Sequence, residues 1–98
     1  MIASNKPSQP RFSLGRIAST PGALAALEES GETASTFLKR HHSGDWGDVC
    51  PEDAEANEEA LANGERIFSV YHTATKEKLY LITEADRSST CLLRASEY

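Results

Sequence analysis

Two histidines and an aspartate stand close together in Arg40-His41-His42-Ser43-Gly44-Asp45-Trp46-Gly47. A histidine beside a carboxylate can act as a general base whose ring the carboxylate orients, and the same set could begin a metal site. The residues equally suit a structural arrangement, in which a histidine caps helix carbonyls, Trp46 fills the core and Asp45 bonds loop amides. As a contact surface, two glycines would present Trp46 on a loop, and tryptophan is a frequent hot spot of protein interfaces. A second group, Thr83-Glu84-Ala85-Asp86-Arg87-Ser88-Ser89, gathers Glu84, Asp86 and Arg87 in one polar turn. It could recognise a partner, or Asp86 could bond turn amides while Arg87 pairs with a carboxylate.

If both groups met at one end of a sheet, a small hydrolase or ribonuclease would be conceivable. His41 or His42 would be its base, Glu84 or Asp86 the partner, and Arg87 the stabiliser of phosphate charge. His41, His42, Asp45, Asp48, Cys50 and His72 are all of metal-ligating type, yet none falls in a CxxC or HExxH spacing. A phosphate-binding glycine loop and a nucleophile elbow are also missing, so neither a metal nor a cofactor is expected. The acidic run Glu52, Asp53, Glu55, Glu58 and Glu59 suits a solvated helix face, or a row of carboxylates imitating phosphates.

The elements that must position these residues follow from caps and periodicity. Met1 to Pro10, with two prolines and little to bury, is expected to be a flexible tail ahead of one domain over residues 11–98. Phe12, Leu14 and Ile17 punctuate a stretch suited to a short strand or an extended lead-in. Thr20 as N-cap, Pro21 in the first turn and Gly31 as C-cap delimit a first helix, with Leu24 and Leu27 three apart on one face. A second helix runs from Thr33 or Ser35 to His42, burying Phe37 and Leu38. Pro51 opens a third, which Asn63-Gly64 closes. Asn57 falls between Ala54 and Leu61 on its inner face and needs a hydrogen-bond partner there. Ile67–Thr73, Lys78–Thr83 and Thr90–Arg94 then alternate as strands with short connections. The expectation is an α+β domain: three short helices, then a three-stranded antiparallel meander, with room for a fourth strand from near Phe12.

Composition narrows the function classes. With 98 residues, 39% hydrophobic and 26% charged, the chain suits a single globular domain. No apolar run approaches the roughly 20 residues of a membrane span, and the polar N-terminus lacks a secretory h-region, so a cytoplasmic location is expected. Two cysteines, Cys50 and Cys91, make no disulfide scaffold; Cys91 suits a small core residue. Fifteen acidic against ten basic residues leave a formal net charge of −5. That field repels phosphate, which argues against direct nucleic-acid binding and is compatible with a partner presenting a basic surface.

Read in order, Leu14-Gly15-Arg16-Ile17-Ala18-Ser19-Thr20-Pro21-Gly22-Ala23-Leu24, Arg40-His41, Gly44-Asp45-Trp46-Gly47-Asp48, Asn57-Glu58 and Ile82-Thr83-Glu84-Ala85-Asp86-Arg87-Ser88 are distinctive. Together they resemble a family of small bacterial, plasmid-related proteins, over the span from Leu14 to Tyr98. The chain departs from that pattern at Arg94-Ala95-Ser96, where the resemblance leads one to expect a proline before Glu97-Tyr98, and in its longer N-terminal tail. The resemblance implies a bacterial cytoplasm and carriage by a mobile element, and lends no activity. Products of such elements often bind and block host defence machinery, an analogy of context. The leading expectation is therefore a small binding protein, an inhibitor of a host defence complex, contacting another protein through Asp45, Trp46, Glu84, Asp86, Arg87 and His41. The hydrolase or ribonuclease above stands second, and a homodimer paired through an exposed sheet edge third.

Overall fold

A computed structural model describes residues 9–98; the expected tail over 1–10 falls, but for Gln9 and Pro10, outside them. The elements run β1 (Arg16–Ser19), α1 (Pro21–Ser30), α2 (Ala34–His42), α3 (Pro51–Asn63), β2 (Ile67–His72), β3 (Lys78–Thr83) and β4 (Ser89–Arg94), closed by a 3₁₀ turn over Ala95–Glu97. The fold is α+β, as the caps and alternation imply.

Helix boundaries sit where local chemistry puts them. The Thr20 hydroxyl accepts from the Ala23 amide at 3.1 Å, and Gly31 turns left-handed at φ 73° to end α1. The carboxylate of Glu97 crowns the same helix start, accepting from Thr20 Oγ1 at 2.5 Å and from the Gly22 amide at 3.1 Å. A negative charge is favoured there by the helix dipole.

One sheet of order β1-β4-β3-β2 carries the fold. β2, β3 and β4 form the antiparallel meander, and β1 joins β4 in parallel with Ile17 opposite Thr90. The expected fourth strand thus forms at 16–19, within the stretch that Phe12, Leu14 and Ile17 punctuate. Phe12 packs edge-on against His41 and His42, with ring centroids 5.2 and 5.8 Å apart.

α1 and α2 cover one face of the sheet. Ala23, Ala26, Leu27 and Phe37 pack there against Tyr71, Leu79, Leu81 and Leu92. Alanines at 23 and 26 let α1 lie close to β4, which rotates Leu24 outward: it is 54% exposed rather than sharing the buried face of Leu27. A second cluster under α3 joins Trp46, Ala60 and Ile67, with Phe12 and Leu61 against it. Cys91, expected in the core, is half-buried on the opposite sheet face, because only even-numbered β4 positions point toward the helices.

The β2 edge is closed. Val70 bonds the loop through Val70 N–H to Trp46 O at 3.1 Å and Asp48 N–H to Val70 O at 2.6 Å. Two residues earlier the buried Asn57 side chain substitutes for a strand. Its amide nitrogen donates to Phe68 O at 2.8 Å and its oxygen accepts from Phe68 N–H at 3.1 Å. Asn57→Ala leaves both backbone groups without a protein partner, and a loss of about 2 kcal/mol in urea denaturation is expected.

Candidate functional site

The residues singled out from the sequence fall into two kinds. His41 and Trp46 are interior, 0% and 6% exposed, while Asp45, Glu84 and Asp86 lie at the surface. His41 lies one turn after Phe37 and so shares its buried stripe.

Among the described residues no carboxylate meets the His41 ring. Nδ1 stands 2.6 Å from Ser69 Oγ, and Nε2 stands 2.8 Å from Thr83 Oγ1, which is 2.7 Å from Thr90 Oγ1. Thr90 in turn donates to Leu14 O at 2.7 Å. That last bond fixes every proton upstream. Since Thr90 spends its hydrogen on Leu14, Thr83 must donate to Thr90 and so must accept from His41 Nε2–H. Nδ1 is then left to accept from Ser69. The neutral imidazole fits this chain, and a second ring proton would leave Ser69 facing a donor. Burial first, and the neighbouring His42 second, push the His41 pKa down to about 4.

Trp46 donates from Nε1 to Glu58 Oε2 at 3.1 Å, and Arg11 grips the same carboxylate with bonds of 3.0 and 2.7 Å. The Glu58 carboxyl is held below its usual range chiefly by that guanidinium. Asp45 takes two bonds from Arg40, at 2.7 and 3.3 Å, and one from the Gly47 amide, at 3.1 Å. The Arg40 bond is the main reason its pKa is lowered.

Among the described residues Arg87 pairs with no carboxylate. Its guanidinium donates to four carbonyls: Glu65 O at 2.6 Å and Glu84, Ala85 and Ala60 O, each at 3.1 Å. It thereby ties the turn to the C-terminal end of α3, where a cation suits the helix dipole. Asp86 accepts from the Ser88 amide at 3.0 Å. The two groups do approach one another, around Phe12: the Arg87 guanidinium lies 5.8 Å from its ring centre and the Trp46 ring 6.2 Å. They meet through packing. The histidine–carboxylate pairing required for the hydrolase arrangement is not formed by His41 with Glu84 or Asp86. A carboxylate does meet a histidine elsewhere, where His72 Nδ1 lies 2.7 Å from Asp48 Oδ2 on the surface. Among the described residues no group of three or more His, Cys, Asp or Glu is placed to hold a metal ion. No helix among them is long and apolar enough to cross a membrane.

A concavity lies elsewhere. A groove of about 590 Å³ runs between α3 and the sheet face that α1 and α2 leave uncovered. Its floor is Phe68, Val70 and Tyr80, all part-exposed. Phe68 and Tyr80 pack with centroids 4.7 Å apart, and Tyr98 closes the aromatic group at 5.6 and 5.5 Å, its hydroxyl accepting from Arg66. Asp53, Ala56 and Ala60 form the helical wall, and the small alanines keep it open. Asp53 is the α3 carboxylate that lines the groove, and Glu52 and Glu59 stand exposed on the adjoining face of the helix. α3 carries five acidic residues and no basic one. Across the floor stand Arg66 and Lys78.

Alternation in β2 and β3 carried a signal for this face. Besides the inward set Ile67, Ser69, Tyr71, the intervening Phe68 and Val70 are also apolar, and Tyr80 and Ile82 repeat the pattern in β3. Comparison with family models, curated proteins and solved structures found no match to the chain.

Proposed function

We propose that this chain is a small protein-binding module that receives a basic, amphipathic segment of its partner in the groove between α3 and the outer sheet face. One observation carries the reading: an apolar, aromatic floor left part-exposed beside a helix wall with acidic and no basic residues. Apolar side chains of the segment would cover Phe68, Val70 and Tyr80, and lysines or arginines would face Glu52, Asp53 and Glu59. The volume suits several side chains, within the usual range of binding clefts. In the setting that the plasmid-related motifs imply, the partner would be a component of a host defence complex that the module blocks. Asp45, Glu84 and Asp86, exposed on their loops, are available as further contacts, whereas Trp46 and His41 serve the interior and Arg87 ties its turn to the end of α3.

Selection of a randomised peptide library displayed on phage, with the folded chain as target, tests the proposal. Enriched peptides are expected to combine lysine or arginine with apolar residues at helical spacing. They should lose at least about tenfold in affinity for Tyr80→Ala and for Asp53→Lys. Enrichment of acidic peptides, or undiminished binding to both variants, would contradict it.

A further inference from the structure

We infer that the chain pairs with a second copy of itself through β1, forming a two-fold dimer with one continuous sheet. The argument begins with backbone bonds. Arg16 N–H donates to Ser88 O at 3.0 Å and Thr20 N–H to Leu92 O at 3.0 Å. A parallel ladder uses alternate residues, so 16, 18 and 20 face β4 while the N–H and C=O groups of Ile17 and Ser19 point away from the sheet. At the opposite edge, β2 is closed by Asn57 and by residues 46–48. Among the described residues β1 is thus the edge left open, and it carries no proline and no bulge to protect it.

The open edge is complementary to itself. An antiparallel pairing that sets Ala18 against Ala18 of the second copy places Ile17 opposite Ser19 twice over, and each such pair exchanges two backbone hydrogen bonds. The alanines meet at the close-approach position, which small side chains suit. In that register Arg16 of each protomer stands opposite Thr20 of its partner, on the same face of the sheet. Thr20 holds the Glu97 carboxylate through its hydroxyl. Arg16 makes no ion pair among the described residues, so two reciprocal Arg16–Glu97 pairs complete the contact. Apolar surface is also available: Ile17 and Leu24, at 49% and 54% exposure, are two of the three exposed large hydrophobic side chains among the described residues and flank the β1–α1 junction.

Four backbone bonds and two ion pairs make a small interface, which belongs to the weak, concentration-dependent class. The groove lies at the β2 side of the sheet, so pairing at β1 leaves it open and joins two grooves in one particle, which raises avidity for a partner with repeated sites.

Sedimentation equilibrium of the whole chain from about 1 μM to about 1 mM spans the range in which such interfaces dissociate. The wild type is expected to pass from monomer to dimer. Ile17→Pro removes only an outward-facing N–H and should leave a folded monomer throughout. Arg16→Glu, which keeps the backbone intact, should raise the dissociation constant at least about tenfold, and it decides the matter if the proline variant fails to fold. A wild type that stays monomeric, or a dimer unaffected by Arg16→Glu, overturns the inference. Neither result bears on the groove, which the peptide selection probes separately.

Discussion

Acidification from pH 7 to pH 4 is expected to remove about 3 kcal/mol of stability through His41 alone. In the folded chain its pKa lies near 4, against 6.5 for an unperturbed imidazole. Between those values the unfolded chain binds the proton and the folded chain does not. Stability is therefore fully present above pH 6.5, falls as the pH drops through the interval, and stops falling on this account below about 4. Each unit of separation corresponds to about 1.4 kcal/mol, and in a domain of this size the loss lowers the melting temperature by more than about 10 °C. The lowered carboxylates Asp45 and Glu58 belong to the more acidic range below their ordinary values, which leaves the upper part of the window to the histidine. His41→Gln keeps a donor and an acceptor for Thr83 and Ser69 without a titrating group. Its melting temperature should be nearly flat between pH 7 and pH 5, where that of the wild type slopes. Equal slopes in the two proteins would remove the proton chain from the account.

Gly47→Ala should cost at least about 3 kcal/mol by urea denaturation. Gly47 has φ 78°, where an L side chain costs about 1–2 kcal/mol. A Cβ there would also run into the Val70 carbonyl oxygen and the Tyr71 ring. The carbonyl is backbone, so the loop must lift from β2 and lose the bonds that close its edge. Gly31→Ala separates the two contributions, because φ is 73° there and nothing lies within 4 Å of the added carbon. Its expected cost is the strain alone, about 1 kcal/mol. Should the two variants prove equally stable, the approach of the loop to β2 does not matter energetically.

Much of the fold was legible because its signals are local. Thr20-Pro21, Gly31, Pro51 and Asn63-Gly64 announce helix ends through cap chemistry that operates within a few residues. Asn57 was recognisable as a polar group on an inner helix face, although its partner, the Phe68 backbone, depends on how α3 lies against β2. What escaped is non-local. Nothing near Arg16 says that it will pair in parallel with a strand more than seventy residues later. Phe12 looks like one more apolar residue of a lead-in, yet it is the point around which Trp46, His41 and Arg87 gather.

The candidate site was harder still, since residue types that can do chemistry also suit structural work. His41 and Arg87 have the right groups for catalysis, and both spend them on neighbours: the histidine on hydroxyls in the core, the arginine on carbonyls at a helix end. The groove depends on ordinary side chains, Phe68, Val70 and Tyr80, whose meaning appears only once α1 and α2 are seen to cover the other face. An acidic α3 beside that floor then reads as more than a solvated surface.

Amide chemical-shift mapping of the chain, titrated with a peptide recovered from the selection, tests the groove most directly. Shifts are expected to concentrate at Asp48, Phe68, Val70, Lys78 and Tyr80 and along Asp53 to Ala60, with Asp45 and residues 84–89 little changed. Shifts centred on Asp45, Glu84 and Asp86, with the groove silent, would contradict that expectation and return the contact surface to the two loops.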